Sequence, residues 1–409
     1  MRTERADGKQ VKVITQGNIA DDATKKPEGR PGIMQRQSPD GLPPMVCGPL
    51  TKDAWGKVTW RKPVHKGTQI VHYAKHDLCQ IGYELTRGFQ LYSKMDYRIF
   101  TENQTWLREQ QYHLVEDEFD AGLVSDAVAM ADVVILNVDH VAAFLHRQDL
   151  RGKKLVIYHH GPPFRFEHAE LGELETSAGY GRLVSTPDLL QFQHPDHAEL
   201  TWLPSPLNLP ELDTLCEKWE KPAGGPLHVL HGFTSAANKG AGEFTNIVGQ
   251  MDSAGENVKL GLIHLVNRQV SLHAMSQADV YFATYLYGPG LATMEAMAFG
   301  VPALVGCTDI ELQHQMDVVG AENVEDLPWI YVTPGTTAEW LRKLQDPAVR
   351  EHWAKKGRAY VEKFHSVRAV VKRMEKFVRK LKPANGVIYT AAEKHEEAIA
   401  WKRKLRMFD

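Results

Sequence analysis

Eight short apolar runs, each of strand length and each set off by a helical or turn-rich segment, leave this chain few folds to choose from. The first four are QIVHYA from Gln69, ADVVILN (131–137), KKLVIYHH (153–160) and RLVSTPDLL (182–190). The second four are PLHVLHGF, VKLGLIHLV, ADVYFATY and VPALVG, all after residue 225. β-Rich runs of this kind between helical stretches predict buried parallel strands in an α/β sheet. YELTRGFQLYSKM, with Leu85, Phe89 and Tyr92 on one face, reads as one of the intervening helices. Between the two sets lies WLPSPLNLPEL (202–212), whose three prolines discourage helix and suit a crossover. The expected architecture is therefore two α/β lobes with a cleft between them, a common place for small-molecule sites.

Composition agrees with a two-lobed globular protein. At roughly 100–200 residues per domain, 409 residues make two domains, and 43 % hydrophobic residues supply their cores. A formal net charge of −3 gives no overall bias toward a polyanionic or polycationic partner. Cys47, Cys79, Cys216 and Cys307 lie far apart with no CxxC spacing, which argues against a zinc ribbon or disulfide scaffold and for reduced thiols in the cytoplasm. The polar start MRTERADGKQ has no signal-peptide core, and no apolar run approaches the roughly 20 residues of a membrane helix. Residues 1–66 read as an irregular arm, either a partly ordered extension or an arm gating the acceptor side. The remaining boundaries are 67–205 for the first lobe, 206–365 for the second, and 366–409 for a basic helix and tail. His194 and His197 stand three apart without further ligands, so no metal is expected, and the Asn103 sequon has no use in the cytoplasm.

The most informative stretch runs from Tyr287-Gly-Pro-Gly through Glu295 to Ala-Met-Ala-Phe-Gly-Val-Pro302. Gly288 and Gly290 permit a tight loop after a strand. A helix then opens at Leu291 and Ala292, and its first N–H groups attract anions such as a diphosphate. Glu295, just over one turn in, can accept hydrogen bonds from a ribose diol; the bland alternative is a surface Glu after an ordinary turn. In HGFTSAANKGAGEF (231–244), Lys239-Gly240 precedes a helix, which alone is often a plain helix start. YHHGPPFR (158–165) ends a strand with two histidines, either of which can simply satisfy a strand-end carbonyl. Arg165 there can face an anionic donor or acceptor, or only solvent.

Taken in order, these segments resemble retaining GT-B glycosyltransferases of family four, over roughly residues 69–382. The family's signature places a Glu, seven residues and a second Glu before Ala-Met-Ala-x-Gly-x-Pro. Glu295 matches the second, and Tyr287 replaces the first. The resemblance implies two Rossmann-like domains facing across a cleft, with His160 opposite Lys239 and Glu295. It implies a nucleotide-sugar co-substrate, UDP- or GDP-linked, with no other cofactor and no metal. His160, Lys239 and Glu295 take the catalytic roles. The donor would meet Thr234, Ser235, Lys239, Tyr287, Gly288, Gly290, Leu291, Ala292 and Glu295, with base recognition by backbone near Val266. The Arg that the family pairs with its Lys is missing from 234–237. Asp77 and Gly82, in KHDLCQIGYELTRGF (75–89), match a loop on the acceptor side, which Arg165 would join; Gly82 is equally a good turn.

From Trp353 to Lys382 eleven Lys or Arg stand against two Glu, and Val367, Val370, Val371, Met374, Phe377, Val378 and Leu381 share one helix face. In the family such a helix crosses back to the first domain. Its basic face is then a solvated surface, or a contact for an anionic membrane or a nucleic acid backbone. Three readings follow. One is a glycosyltransferase acting on a saccharide, lipid or small molecule. Another is a bacteriophage-type enzyme glycosylating hydroxymethylated DNA bases. The last is a non-catalytic nucleotide-sugar-binding protein.

Overall fold

The structure is a computed structural model. It describes residues 2–6, 9–14, 51–52, 58–59, 67–74, 77, 80–101, 113–114, 118–137, 150–219, 221, 224–233, 239–264 and 266–385. In chain order the strands are β1 (Arg2–Ala6), β2 (Lys9–Ile14), β3 (Thr51–Lys52), β4 (Val58–Thr59), β5 (Gln69–Ala74), β6 (Asp96–Thr101), β7 (His113–Leu114) and β8 (Val133–Asn137). They continue with β9 (Lys154–His159), β10 (Gly181–Val184), β11 (Leu200–Trp202), β12 (Leu227–Phe233), β13 (Val258–His264), β14 (Val280–Thr284), β15 (Ala303–Val305) and β16 (Ile330–Tyr331). The α-helices are α1 (Ile81–Tyr92), α2 (Glu118–Met130), α3 (Pro162–Ser177), α4 (Leu209–Lys218), α5 (Ala241–Ser253) and α6 (Arg268–Ser276). After them come α7 (Leu291–Ala298), α8 (Asp309–Val319), α9 (Pro334–Lys343), α10 (Pro347–Phe364) and α11 (Val367–Lys380).

The chain divides into two compact units. The N-terminal unit comprises Met45–Pro206 with Val367–Asp409; the C-terminal unit comprises Leu207–Ser366 with Met1–Pro44. The N-terminal unit is built on a seven-stranded sheet in the order β11-β10-β9-β8-β5-β6-β7, every pair parallel. Its chain starts at β5, builds outward through β6 and β7, then returns to β8 on the other flank. The order therefore reverses between β5 and β8, where doubly wound sheets bind ligands at their carboxyl ends. The C-terminal unit repeats the plan with β1-β2-β13-β12-β14-β15-β16, and its order reverses between β12 and β14. All its pairs are parallel except β1 with β2.

Burial explains the strands. Val133, Val134, Ile135 and Leu136 are almost wholly buried, as are Val280, Tyr281 and Phe282, so both faces of these strands are covered. α11 lays Val370, Val371, Met374 and Val378 into the N-terminal unit's core beside Leu85 and Phe89 of α1. Full burial of each such side chain contributes about 1.5–3 kcal/mol. Gly88 makes the approach possible: a Cβ there would stand 2.3 Å from Val367 Cγ1 and 2.7 Å from Val371 Cγ2. The polar side of α11 stays outside, with Arg368, Lys372, Lys376, Arg379 and Lys380 exposed.

Two features depart from the sequence reading. Residues expected in an irregular arm contain the β1–β2 hairpin, which joins the C-terminal unit's sheet through β2 alongside β13. The register pairs Ala6 with Lys9, and the intervening dipeptide is Asp7-Gly8, the composition that favours two-residue hairpin loops. Val11 and Val13 alternate with Gln10 and Lys12, a signal diluted by the Gly-, Pro- and Lys-rich stretch that follows. Most of 1–66, with Cys47, Cys79 and Asn103, lies outside the described residues. The second feature is β6, a full strand that DYRIFT conceals because Asp96 and Arg98 interrupt its apolar pattern. Arg98 answers Asp96 directly, Nη2 to Oδ2 at 2.7 Å. Among the described residues no helix is long and apolar enough to cross a membrane.

Candidate functional site

In the C-terminal unit the singled-out residues gather at the carboxyl ends of β12, β13 and β14, around the reversal of strand order. Beyond β12, Lys239 leads into Gly240, whose φ of 67° sets the entry to α5. A Cβ on Gly240 would lie 2.7 Å from the ring of Tyr285, so the Lys239 turn packs directly against the loop after β14. The charge of Lys239 is felt by His231, buried in β12. Burial holds that imidazole down to about 4, and Lys239 pushes the same way against a hydrogen bond from Nδ1 to the Phe282 carbonyl. Thr234 and Ser235 lie outside the described residues.

The loop after β14 is conformationally demanding. Tyr287 has φ 60° and Gly288 φ 72°, both in the left-handed region. Gly288 donates its N–H to the Gly306 carbonyl at 3.1 Å. Gly290 is extended and caps α7, so the N–H groups of Leu291 and Ala292 precede the first intrahelical bond and attract negative charge. Beneath the loop is Gln315 of α8, fully buried, with neither amide atom hydrogen-bonded among the described residues.

Glu295 is buried in α7, and its Oε1 accepts from Arg268 Nε at 3.1 Å. Arg268 Nη1 lies 3.6 Å from Glu211 Oε1, and Asn208 donates to the other oxygen of Glu211. A buried carboxylate needs such a partner, because desolvating an unpaired charge costs several kcal/mol. Its charge raises the pKa of Tyr281, whose hydroxyl is chiefly pushed up by burial. Arg268 was missed in the sequence, although it stands two residues after Val266, itself buried and singled out.

In the N-terminal unit His160 follows β9 directly. Its Nε2 lies 3.3 Å from Asn137 Oδ1, at the end of β8, and its ring packs on Tyr158 at 4.3 Å between centroids. Burial lowers its pKa to about 3, and His72 and His159 add to the effect, so the ring is neutral at physiological pH. His159 faces the other way. It stacks on Phe164 at 3.9 Å, and its Nε2 is 3.1 Å from Glu175 Oε2, which also accepts from Arg182.

Three residues expected on the acceptor side carry structural work. Both oxygens of Asp77 accept N–H groups of the first turn of α1, Oδ1 from Gly82 and Oδ2 from Tyr83. Gly82 is required by packing, because a Cβ would lie 2.0 Å from Ile99 Cδ1. Arg165 engages buried Asp188 through Nε at 3.1 Å and Nη2 at 2.5 Å. Among the described residues no group of three or more His, Cys, Asp or Glu is placed to hold a metal ion.

No protein-family model and no curated sequence matches the chain. Solved structures do. An alpha-glucosyltransferase in complex with UDP-glucose and DNA containing an abasic site aligns at TM-score 0.57 and 11% identity, over 77% of this chain and 100% of its own. An alpha-glucosyltransferase with UDP and a 13-mer DNA containing an HMU base aligns at 0.56 and 11%, over 77% and 100%. The UDP-forming alpha,alpha-trehalose-phosphate synthase of Burkholderia xenovorans aligns at 0.51 and 12%, over 76% and 100%. The chain has the α/β fold of these GT-B glycosyltransferases, two parallel sheets flanked by helices.

Proposed function

We propose that this protein is a glycosyltransferase that moves a sugar from a nucleotide-sugar donor to an acceptor hydroxyl. The observation that supports it most is the gathering of Lys239, the Tyr287–Ala292 loop and helix start, and Glu295 on the carboxyl edge of one parallel sheet. Each part suits one piece of the donor. Glu295 accepts from the ribose diol, with the hydrogen bond from Arg268 orienting the carboxylate. Lys239 and the N–H groups of Leu291 and Ala292 take the diphosphate, whose negative charge grows as the glycosidic bond breaks. Donors aimed at such developing charge are worth about 3–4 kcal/mol each. Similarity to family four supports transfer with retention and without metal, the departing diphosphate being stabilised by protein groups alone. The donor is a co-substrate, and UDP is favoured because the similar structures hold UDP or UDP-glucose. We place the reaction in the cytoplasm.

A second reading concerns the acceptor. Similarity to glucosyltransferases solved with DNA supports a hydroxymethylated DNA base as one acceptor class, beside the saccharide that the trehalose-phosphate synthase likeness supports. The exposed cations of α11 offer a further anionic contact, to a nucleic acid backbone or an anionic membrane. Incubation with UDP-[14C]glucose and hydroxymethylated or unmodified duplex DNA tests it directly; label in neither DNA, with label transferred to a saccharide, rejects the DNA reading.

The donor reading is tested by calorimetry. Lys239→Ala is expected to weaken UDP about 10–100-fold, the worth of one charge-assisted hydrogen bond, while uridine binding stays within about twofold. Equal loss for both ligands would assign Lys239 to the fold.

Tyr287 offers a second test. A tyrosine in the left-handed region costs about 1 kcal/mol or more, so Tyr287→Gly is expected to raise stability by about that amount. We propose that the ring helps choose the sugar. Tyr287→Phe and Tyr287→Gly should then change the relative turnover of UDP-glucose, UDP-galactose and UDP-N-acetylglucosamine. An unchanged ranking with a raised Tm would leave Tyr287 without a selective role.

A further inference from the structure

The polar interior of the N-terminal unit contains a chain of hydrogen bonds that leads to His160. Tyr97 in β6 and His72 in β5 are fully buried, and the Tyr97 hydroxyl lies 2.8 Å from His72 Nδ1. His72 Nε2 lies 2.9 Å from Asn137 Oδ1, the oxygen that also meets His160 Nε2. β5 and β8, which supply His72 and Asn137, are the two strands between which the sheet order reverses. We propose that Tyr97, His72 and Asn137 are positioning residues that fix His160 with its proton on Nε2, so that Nδ1 meets a substrate sugar hydroxyl as a hydrogen-bond acceptor. The role of His160 at substrate rests on the glycosyltransferase reading above.

Donors and acceptors along the chain fix the tautomers. A side-chain carbonyl oxygen only accepts, so both rings that reach Asn137 Oδ1 carry their proton on Nε2. Neutral His72 then has a bare Nδ1, which accepts a hydrogen bond from the Tyr97 hydroxyl. Each link fixes the next, and His160 is left with Nδ1 as its remaining polar atom. The groups around the chain keep it neutral. Burial holds His72 down to about 4 against the raising effect of Asn137, and burial with the charge of Asp77 and the Tyr158 phenol holds Tyr97 protonated. His160 faces His72 from β5 and His159 and Tyr158 from its own strand, with Arg165 of α3 near Gly161. Gly82 makes room: a Cβ there would stand 3.1 Å from His72 Nδ1, the atom that Tyr97 reaches. A plain packing role for these residues would not require that their polar atoms run in series to the end of the sheet.

Two readouts test the chain. In the wild-type protein labelled with 15N-histidine, long-range 1H–15N spectra between about pH 6 and pH 8 should show His72 and His160 neutral with Nε2 protonated. A proton on Nδ1 of either ring overturns the proposal, and needs no turnover at all. The second readout is Asn137→Asp, which sets a carboxylate against His160 Nε2 and raises that ring's pKa. Below the new value both nitrogens carry protons and Nδ1 is no longer an acceptor. The variant is expected to turn over UDP-glucose at about pH 8 and to lose about tenfold in kcat by about pH 4–5, as a rise of two to three pKa units from about 3 implies. The wild type should be flat over that range, and UDP affinity should be the same in both. Tyr97→Phe, which keeps the ring, should give mixed tautomers at His72 with an unchanged fold. A flat profile in a folded Asn137→Asp overturns the proposal. Wild-type protein that neither binds nor turns over UDP-sugars, yet shows the expected tautomers, overturns the glycosyltransferase reading and leaves the chain intact.

Discussion

Arg182→Ala is expected to destabilise the N-terminal unit by about 3–5 kcal/mol, the cost of stripping one partner from a buried ion pair. Arg182 has no exposed surface. Its Nε donates to Glu175 Oε2 at 2.8 Å, its Nη1 donates to the Ala198 carbonyl at 2.8 Å, and its guanidinium lies 5.8 Å from the Phe164 ring centre. Alanine removes all three contacts and leaves Glu175, itself buried, facing His159. Urea unfolding of the single variant measures the loss. Arg182→Met combined with Glu175→Gln removes both charges and keeps the volume, so it should recover at least about half of it. A loss below about 1 kcal/mol in Arg182→Ala would mean that water replaces the guanidinium and that the pair is not a structural element.

Gly288→Ala is expected to cost about 2–4 kcal/mol, from a left-handed φ that alanine resists and from overpacking. The added Cβ would fall 2.0 Å from Gln315 Nε2 and 2.8 Å from its Cδ. Gln315 is fully buried, so its amide has no solvent into which to swing. The loop must move instead, and with it Gly290 and the helix start at Leu291. UDP affinity should fall about tenfold or more, since the helix N-terminus no longer faces its anion. Adding Gln315→Ala removes the clash and keeps the backbone penalty, so the double variant should regain part of both stability and affinity. A single variant that melts and binds UDP like wild type would show that the loop tolerates a side chain at 288.

Sequence and structure agree where a signal is local. Each of the eight apolar runs contains a strand, because burying both faces of a parallel sheet writes itself into contiguous residues. The apolar stripe of α11 was legible for the same reason, since helical period alone displays it. What escaped depends on partners distant in sequence. Arg268 gains meaning only beside Glu295, and His72 and Asn137 only through His160, 23 or more residues away. Asp77 has a structural role that its motif does not display: its two oxygens accept N–H groups from the first turn of α1. Gly82, left open between turn and site, serves packing, with room for the Tyr97–His72 contact as a second consequence.

The return of α11 to the N-terminal unit sets a schedule for biosynthesis. Val370, Val371, Met374 and Val378 complete a core whose other members lie between Ile70 and Leu203. A ribosome must translate all of Leu207–Ser366 between the two parts. At roughly 5–20 residues per second, that interval is about 10–30 s. Through it the nascent N-terminal half presents Leu85, Gly88 and Phe89 uncovered, a surface suited to a general chaperone and open to aggregation in its absence. Synonymous slow codons within 207–366 would lengthen that exposure without altering a single residue, and are expected to lower the yield of soluble protein in chaperone-depleted cells.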